Sequence, residues 1–295
     1  MDQAQRLRQL VERKKQELQQ KRFKVITVSS GKGGVGKTSF VVNFATTLAK
    51  RGLKVCILDA DFGMANVDIM FGCISKFSII DVLEGNKSID EIILKTIEGV
   101  EIIPGGSGLS KIYTIDEDKK NQIISQFDKL NNYDILIIDT GAGASENVLK
   151  FIEIADEVIV VTNSEPTALT DAYSLIKIIY LNNLDSNINI VVNRAKNNQD
   201  AEETFNKICY TVKTFIGKNI KYLGYIVEDI KIGQAIKKQT PYVSEHPNTE
   251  FTLCINKIVA KIMGIEESNK SKYTSFKDYI TKLFKAVGKW TYLLI

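Results

Sequence analysis

Nine consecutive residues carry the plainest chemistry in this chain: Gly31, Lys32, Gly33, Gly34, Val35, Gly36, Lys37, Thr38 and Ser39, directly after the apolar, β-branched run Val25–Ser30. A glycine-rich turn between a strand and a helix lets successive backbone N–H groups point into one concavity at the positive end of a helix dipole. Such a cradle takes a phosphate chain. The spacing GxxxxGK[ST] assigns Lys37 to the β- and γ-phosphates and the Thr38 hydroxyl to Mg²⁺. Lys32, inside the turn, is a second cation that the generic pattern does not require.

Three aspartates complete a reaction centre for phosphoryl transfer. Asp59 and Asp61 end the apolar segment Lys54–Leu58, and Asp139 ends the almost unbroken apolar run Tyr133–Asp139. Carboxylates at the carboxyl ends of parallel strands lie where open α/β sheets bind ligands. Of Asp59 and Asp61, one can support Mg²⁺ and the other can place the attacking water, and Asp139 is expected to hold Mg²⁺, because this reaction needs positioning and charge neutralisation more than covalent help. Asn193 and Arg194 end another apolar run, Ile188–Asn193, where an asparagine can pair with an adenine edge. The guanine-reading pattern NKxD is absent, so ATP is expected over GTP.

Apolar runs of the buried parallel type alternate with helical periodicity along the body, which implies an α/β fold. The expected architecture is a mostly parallel central sheet with helices on both faces, plus terminal helices. Strands are expected at 25–30, 54–58, 100–104, 133–139, 157–162, 188–193 and 221–227. Helices are expected at 37–50, within 77–95, and at 116–130, 166–181, 200–216 and 248–263. Gly264 to Lys272 reads as a polar linker, and the only histidine, His246, reads as a surface residue. The chain divides into a leader, 1–22, a body, 23–265, and a tail, 266–295.

Charge is distributed unevenly. Residues 1–22 hold seven Lys and Arg against three acids, and residues 270–295 hold six Lys against one acid. That leaves 26 basic against 31 acidic residues in the middle. An acidic body argues against a surface that coats DNA, and no specific nucleic acid is expected as a partner. Cys56, Cys73, Cys209 and Cys254 lack metal-site spacing, which points to a reducing compartment. The charged first residues do not read as a secretory signal, and no apolar run is long enough for a bilayer. Near the end, Phe276, Tyr279, Ile280, Leu283, Phe284 and Val287 recur at helical spacing opposite Lys277, Lys282 and Lys285. Such a helix suits an anionic membrane surface, Phe276, Ile280, Leu283, Phe284 and Val287 being the contact residues; packing on the body is the other reading of the same pattern.

The loop GKGGVGKT with its extra Lys32, and the stretch DADFGMANVDIMFG from Asp59, resemble the deviant Walker A class of the MinD/ParA family of P-loop NTPases, in the SIMIBI group. The resemblance spans nearly the whole chain. It implies an ATPase that forms a homodimer when ATP-bound, with Lys32 reaching the partner subunit's nucleotide, Asp61 essential for hydrolysis and Asp139 at the Walker B position. No cysteine follows Asp139 at the place where the iron–sulfur branch of the superfamily bridges its dimer. The DTGAG at 139–143 and the opening Asp2, Gln3, Ala4, Leu7 and Arg8 are similar to the flagellar branch, the FlhG (FleN or YlxH) type of flagellar-number regulator. In that branch the DQAxxLR segment stimulates the GTPase FlhF, and flagellar switch or C-ring proteins are further partners. The implied location is the cytoplasm, with reversible attachment to the inner face of the cell membrane. A MinD cell-division regulator would not need the leader, and a ParA nucleoid binder would need a basic body. Val227 stands where the family usually has proline.

Overall fold

The computed structural model describes residues 23–61, 66–106, 125–126, 132–184, 186–268, 275 and 277–283. The leader Asp2–Arg8 and Phe276, Phe284 and Val287 lie outside these residues, as do most of 116–130 and residues 62–65 of the stretch following Asp61.

In chain order the elements are β1 (Lys24–Ser30), α1 (Lys37–Lys50), β2 (Val55–Ala60), α2 (Val67–Met70), α3 (Ile79–Leu83), α4 (Ile89–Ile92), β3 (Leu94–Lys95), β4 (Glu101–Ile103) and β5 (Ile135–Ala142). They continue with α5 (Glu146–Glu153), β6 (Glu157–Thr162), α6 (Pro166–Leu181), β7 (Ile188–Ala195), α7 (Asn198–Ile216), β8 (Lys221–Val227), α8 (Ile232–Lys237), α9 (Tyr242–Glu245) and α10 (Glu250–Ser268). A last helical stretch, α11, covers residues 277–283.

The described strands form one eight-stranded sheet in the order β3-β4-β2-β5-β1-β6-β7-β8. Every pairing is parallel except that of β3 with β4. Apolar runs such as Ile135–Ile138 and Val158–Val161 are buried on both sides, as a parallel sheet covered by helices on both faces demands. Alternation then sorts the side chains. Ile26, Val28, Ile57, Ile137, Ile159 and Val161 pack with α1 and α10. Val25, Leu58, Leu136 and Ile138 pack under α3, α4 and α11, while Val158, Val160, Ile190 and Val192 pack under α6 and α7.

Sequence-level signals set most helix ends. Ser78 with Asp81 and Ser88 with Glu91 form capping boxes for α3 and α4, each satisfying otherwise unpaired N-terminal amides. Asn197 caps α7, whose end is Gly217 in the left-handed conformation, φ 71°. At Gly264 the expectation fails, since α10 runs through it to Ser268. A helical glycine costs about 1 kcal/mol relative to alanine, and buried Ile255, Ile258, Val259 and Ile262 hold this helix on the sheet. The short helices α2, α5, α8 and α9 are additions that the sequence reading did not place, and residues 94–95, expected within a helical stretch, form β3.

Residues of the C-terminal amphipathic segment lie on the body. Tyr279 is fully buried, Ile280 and Leu283 are buried with it, and the Tyr279 ring stands edge-on to Phe23 with centroids 6.5 Å apart. α11 therefore packs beside Phe23 at the start of β1, the end of that strand opposite the phosphate loop. Tyr279→Ala is expected to lower unfolding stability by about 3 kcal/mol, read from the denaturant midpoint; an unchanged midpoint would mean that α11 contributes no packing.

Candidate nucleotide site

The carboxyl ends of β1, β2, β5, β6 and β7 converge on the glycine-rich loop. Gly34 and Gly36 take φ of 79° and 89°, a region costly for residues with a Cβ. A Cβ built on Gly33 or Gly34 would meet nothing within 4 Å, so these residues border open space. The N-terminus of α1 has no side-chain cap and no acid in its first turn. With no side-chain acceptor, the first amides of α1 and its dipole suit a phosphate group. The other side of the loop is closed: a Cβ on Gly31 would lie 2.1 Å from the carbonyl of Asp171 in α6, and one on Gly36 would lie 2.3 Å from Asn193 Nδ2.

Below the loop, Asp59 and Asp139 occupy the same register position on neighbouring strands β2 and β5. Lys37 Nζ donates to Asp139 Oδ1 at 2.5 Å, with both side chains buried. Asp139 Oδ2 is buried without a hydrogen-bond partner. Asp59 accepts from the backbone N–H groups of Asp61, Asn66 and Val67 at 3.0 to 3.2 Å. Burial, and then the charge of Asp139, push the Asp59 carboxyl up to about 7; burial likewise raises Asp139 against the lowering effect of Lys37. Of the two buried acids only Asp139 is paired with Lys37, so the site has room for a further positive charge.

Thr38, Asp59 and Asp139, the last through its orphaned Oδ2, form a donor set suited to Mg²⁺, a hard cation that takes oxygen ligands. The described residues contain no ready-made cluster of three acidic, histidine or cysteine ligands. Phosphate oxygens and water would supply the rest of the shell, as Mg²⁺ prefers.

Lys32 lies at the rim rather than in the cradle. Its Nζ is 2.8 Å from Thr167 Oγ1 and 3.2 Å from Glu165 Oε2, at the start of α6. Neither partner was identified from sequence, because each lies more than 130 positions away; the only local signal is their place just beyond the carboxyl end of β6. Val35 is buried in the core and Ser39 follows in the first turn of α1. Asp61 lies beside Gly141, 3.6 Å from the position a Cβ there would take. Asn193 is buried, and its amide donates to the Val35 carbonyl at 2.8 Å, so it braces the phosphate loop. Arg194 is exposed in the left-handed region, φ 53°, where the pairing of β7 with β8 breaks register. His246 is partly covered, with its ring 4.7 Å from that of Tyr242. A cavity of about 430 Å³ lies at the opposite end of the sheet among Lys54, Glu101 and Tyr133, remote from all these groups.

A model of the ParA family, described as NUBPL iron-transfer P-loop NTPase, matches residues 21–263. The chain belongs to the ParA family of P-loop NTPases. It is 34% identical to the antiactivator FleN of Pseudomonas aeruginosa over 81% of this chain and 85% of FleN. It is 30% identical to the flagellum site-determining protein YlxH of Helicobacter pylori over 90% of this chain and 91% of that protein. Among solved structures, MinD of Pyrococcus horikoshii complexed with Mg-ADP superposes with a TM-score of 0.66 at 25% identity, over 85% of this chain and all of MinD. The MinD-like fold expected from sequence is thus the observed one, and MinD of Pyrococcus furiosus, 26% identical, is a cell division ATPase.

Two outcomes test this geometry. Gly31→Ala should abolish nucleotide binding by forcing the loop off α6, measured with a fluorescent ATP analogue. The pH dependence follows from Asp59, whose folded pKa is raised from 3.8 to about 7. Its favourable contribution is complete below the unfolded value and is lost as pH rises through the folded one. Metal-free protein should therefore lose thermal stability across that interval, and Asp59→Asn should flatten the loss.

Proposed function

We propose that this protein is an ATP-dependent dimerising switch that regulates the number or placement of flagella. The similarity to FleN and YlxH supports the flagellar reading, and the phosphate loop with Asp59 and Asp139 supports Mg·ATP as its ligand. One observation carries the switch: Lys32 stands outside the phosphate cradle, its side chain 38% exposed and its amine held by Glu165, the N-cap of α6, and Thr167 in the first turn of that helix. An amine placed there can exchange its partners for the phosphates of a second subunit facing the loop.

In the proposed cycle, the α1 amides and Lys37 bind the β- and γ-phosphates, and Mg²⁺ offsets the charge of Asp59 and Asp139. The closed site excludes water other than the one aligned by Asp61. Hydrolysis is slow and sets timing rather than turnover of a metabolite. Residues 1–22, through Asp2, Gln3, Ala4, Leu7 and Arg8, act on the GTPase FlhF, and flagellar switch proteins are further partners. The C-terminal segment with Phe276, Ile280, Leu283, Phe284 and Val287 attaches the protein to an anionic membrane. Because Ile280 and Leu283 are buried against the sheet, attachment requires α11 to leave the body first.

The test is sizing by light scattering with Mg·ATP. Asp61→Ala should abolish turnover while keeping ATP-dependent dimers, and Lys32→Ala should still bind ATP yet stay monomeric. A dimer that forms equally well without Lys32 would refute the exchange.

A further inference from the structure

Asn193 lies outside the glycine-rich motif yet grips its backbone. β7 is separated from β1 by β6, a gap of about 10 Å at two strand spacings, so the loop after β1 leans across the end of β6 to meet it. There Asn193 Nδ2 donates to the Val35 carbonyl at 2.8 Å, with the Asn193 side chain buried. A carbonyl can only accept, so the contact fixes which half of the side-chain amide faces the loop. A residue expected to read an adenine edge thus has its donor committed to the protein.

The bond falls on a peptide that could otherwise turn over. Val35 is anchored, its side chain 2% exposed within the core. Gly36 has no Cβ, and its φ of 89° lies in a region that glycine enters freely. The peptide between them can therefore rotate as a unit, exchanging the direction of the Val35 carbonyl for that of the Gly36 N–H. In a planar trans peptide these two groups point opposite ways, so a carbonyl held toward Asn193 sends the Gly36 N–H away from it. The Asn193 side of Gly36 is filled, a Cβ there lying 2.3 Å from Nδ2, whereas Gly33 and Gly34 border open space. Turned over, the same peptide would present an oxygen to a phosphate in place of a donor.

We propose that Asn193 is a positioning residue for phosphate. By holding the Val35 carbonyl it locks the Val35–Gly36 peptide with its N–H toward the phosphate cradle, and the loop so held takes a triphosphate without help from a base. The lock rests on the nucleotide reading given above and adds to it a residue from β7 that the motif does not contain. Neither Lys32 nor dimerisation enters into it. An equally buried asparagine on the same strand supplies the contrast: Asn189, about 13 Å from Asn193, donates Nδ2 to Glu157 Oε2 at 2.7 Å, away from the loop.

The experiment uses the full-length protein with Mg²⁺ and measures, by calorimetric titration, its affinity for ATP and for inorganic tripolyphosphate, which has no base. Asn193→Leu, of similar shape but without a donor, should weaken both ligands alike, by about ten-fold. Asn193→Asp should weaken both further, since its carboxylate repels the Val35 carbonyl. If the leucine variant does not fold, Asn193→Ser, too short to reach Val35, should show the same parallel loss. Asn189→Ala should lower the melting temperature and leave both affinities unchanged. A loss confined to ATP would make Asn193 a reader of the base and overturn the lock. Unchanged affinities in Asn193→Leu, or an equal loss in Asn189→Ala, would overturn it too. So would an unmodified protein that binds ATP but not tripolyphosphate, whereas one that binds neither would sink the nucleotide reading and the lock with it.

Discussion

The contact between Lys37 and Asp139 settles an electrostatic problem that the fold creates for itself. Parallel register brings Asp59 and Asp139 side by side in a buried layer, where two uncompensated carboxylates could not both stay ionised. A single ammonium from the first turn of α1 reaches down to one of them. That pairing ties the phosphate loop to β5 and leaves the other acid protonatable. Any ligand that brings charge to this layer changes the balance between the two acids. The chemistry of the site and the stability of the layer beneath it are one balance.

A second theme is how strongly the loop is braced from behind. Asn193 reaches from β7 to the Val35 carbonyl, Gly31 rests on the α6 backbone, and Lys32 is tied to the first residues of that helix. Three sides of the loop are thus set by elements from the far half of the sheet, and only the side facing Gly33 and Gly34 is open. Such preorganisation lets the amides meet a phosphate without first paying a large ordering cost.

Much of this was legible in the sequence because parallel strands are apolar on both faces and end in short polar turns. The phosphate loop, Asp59, Asp139 and the runs Glu157–Thr162 and Lys221–Val227 could be placed from residue type alone. α5 was missed, although Ser145 followed by Val148, Phe151 and Ile152 gave a cap and helical spacing that could have revealed it. α8 and α9 are too short for periodicity to register. The partners of Lys32 were beyond reach for a different reason, since which turn lies beside which depends on strand order and not on neighbours in sequence. The amphipathic end of the chain was recognised as such, but a face of Tyr279, Ile280 and Leu283 suits a sheet and a bilayer by the same physics.

The tight seat of Gly31 on the carbonyl of Asp171 has a mechanical reading. With no spare volume between them, the loop and the first half of α6 cannot shift independently, so any displacement of one is handed to the other undiminished. The helix behaves as a stiff pushrod: movement of a fraction of an ångström at the phosphates would emerge at its outer end, near Leu181, on the far rim of the molecule.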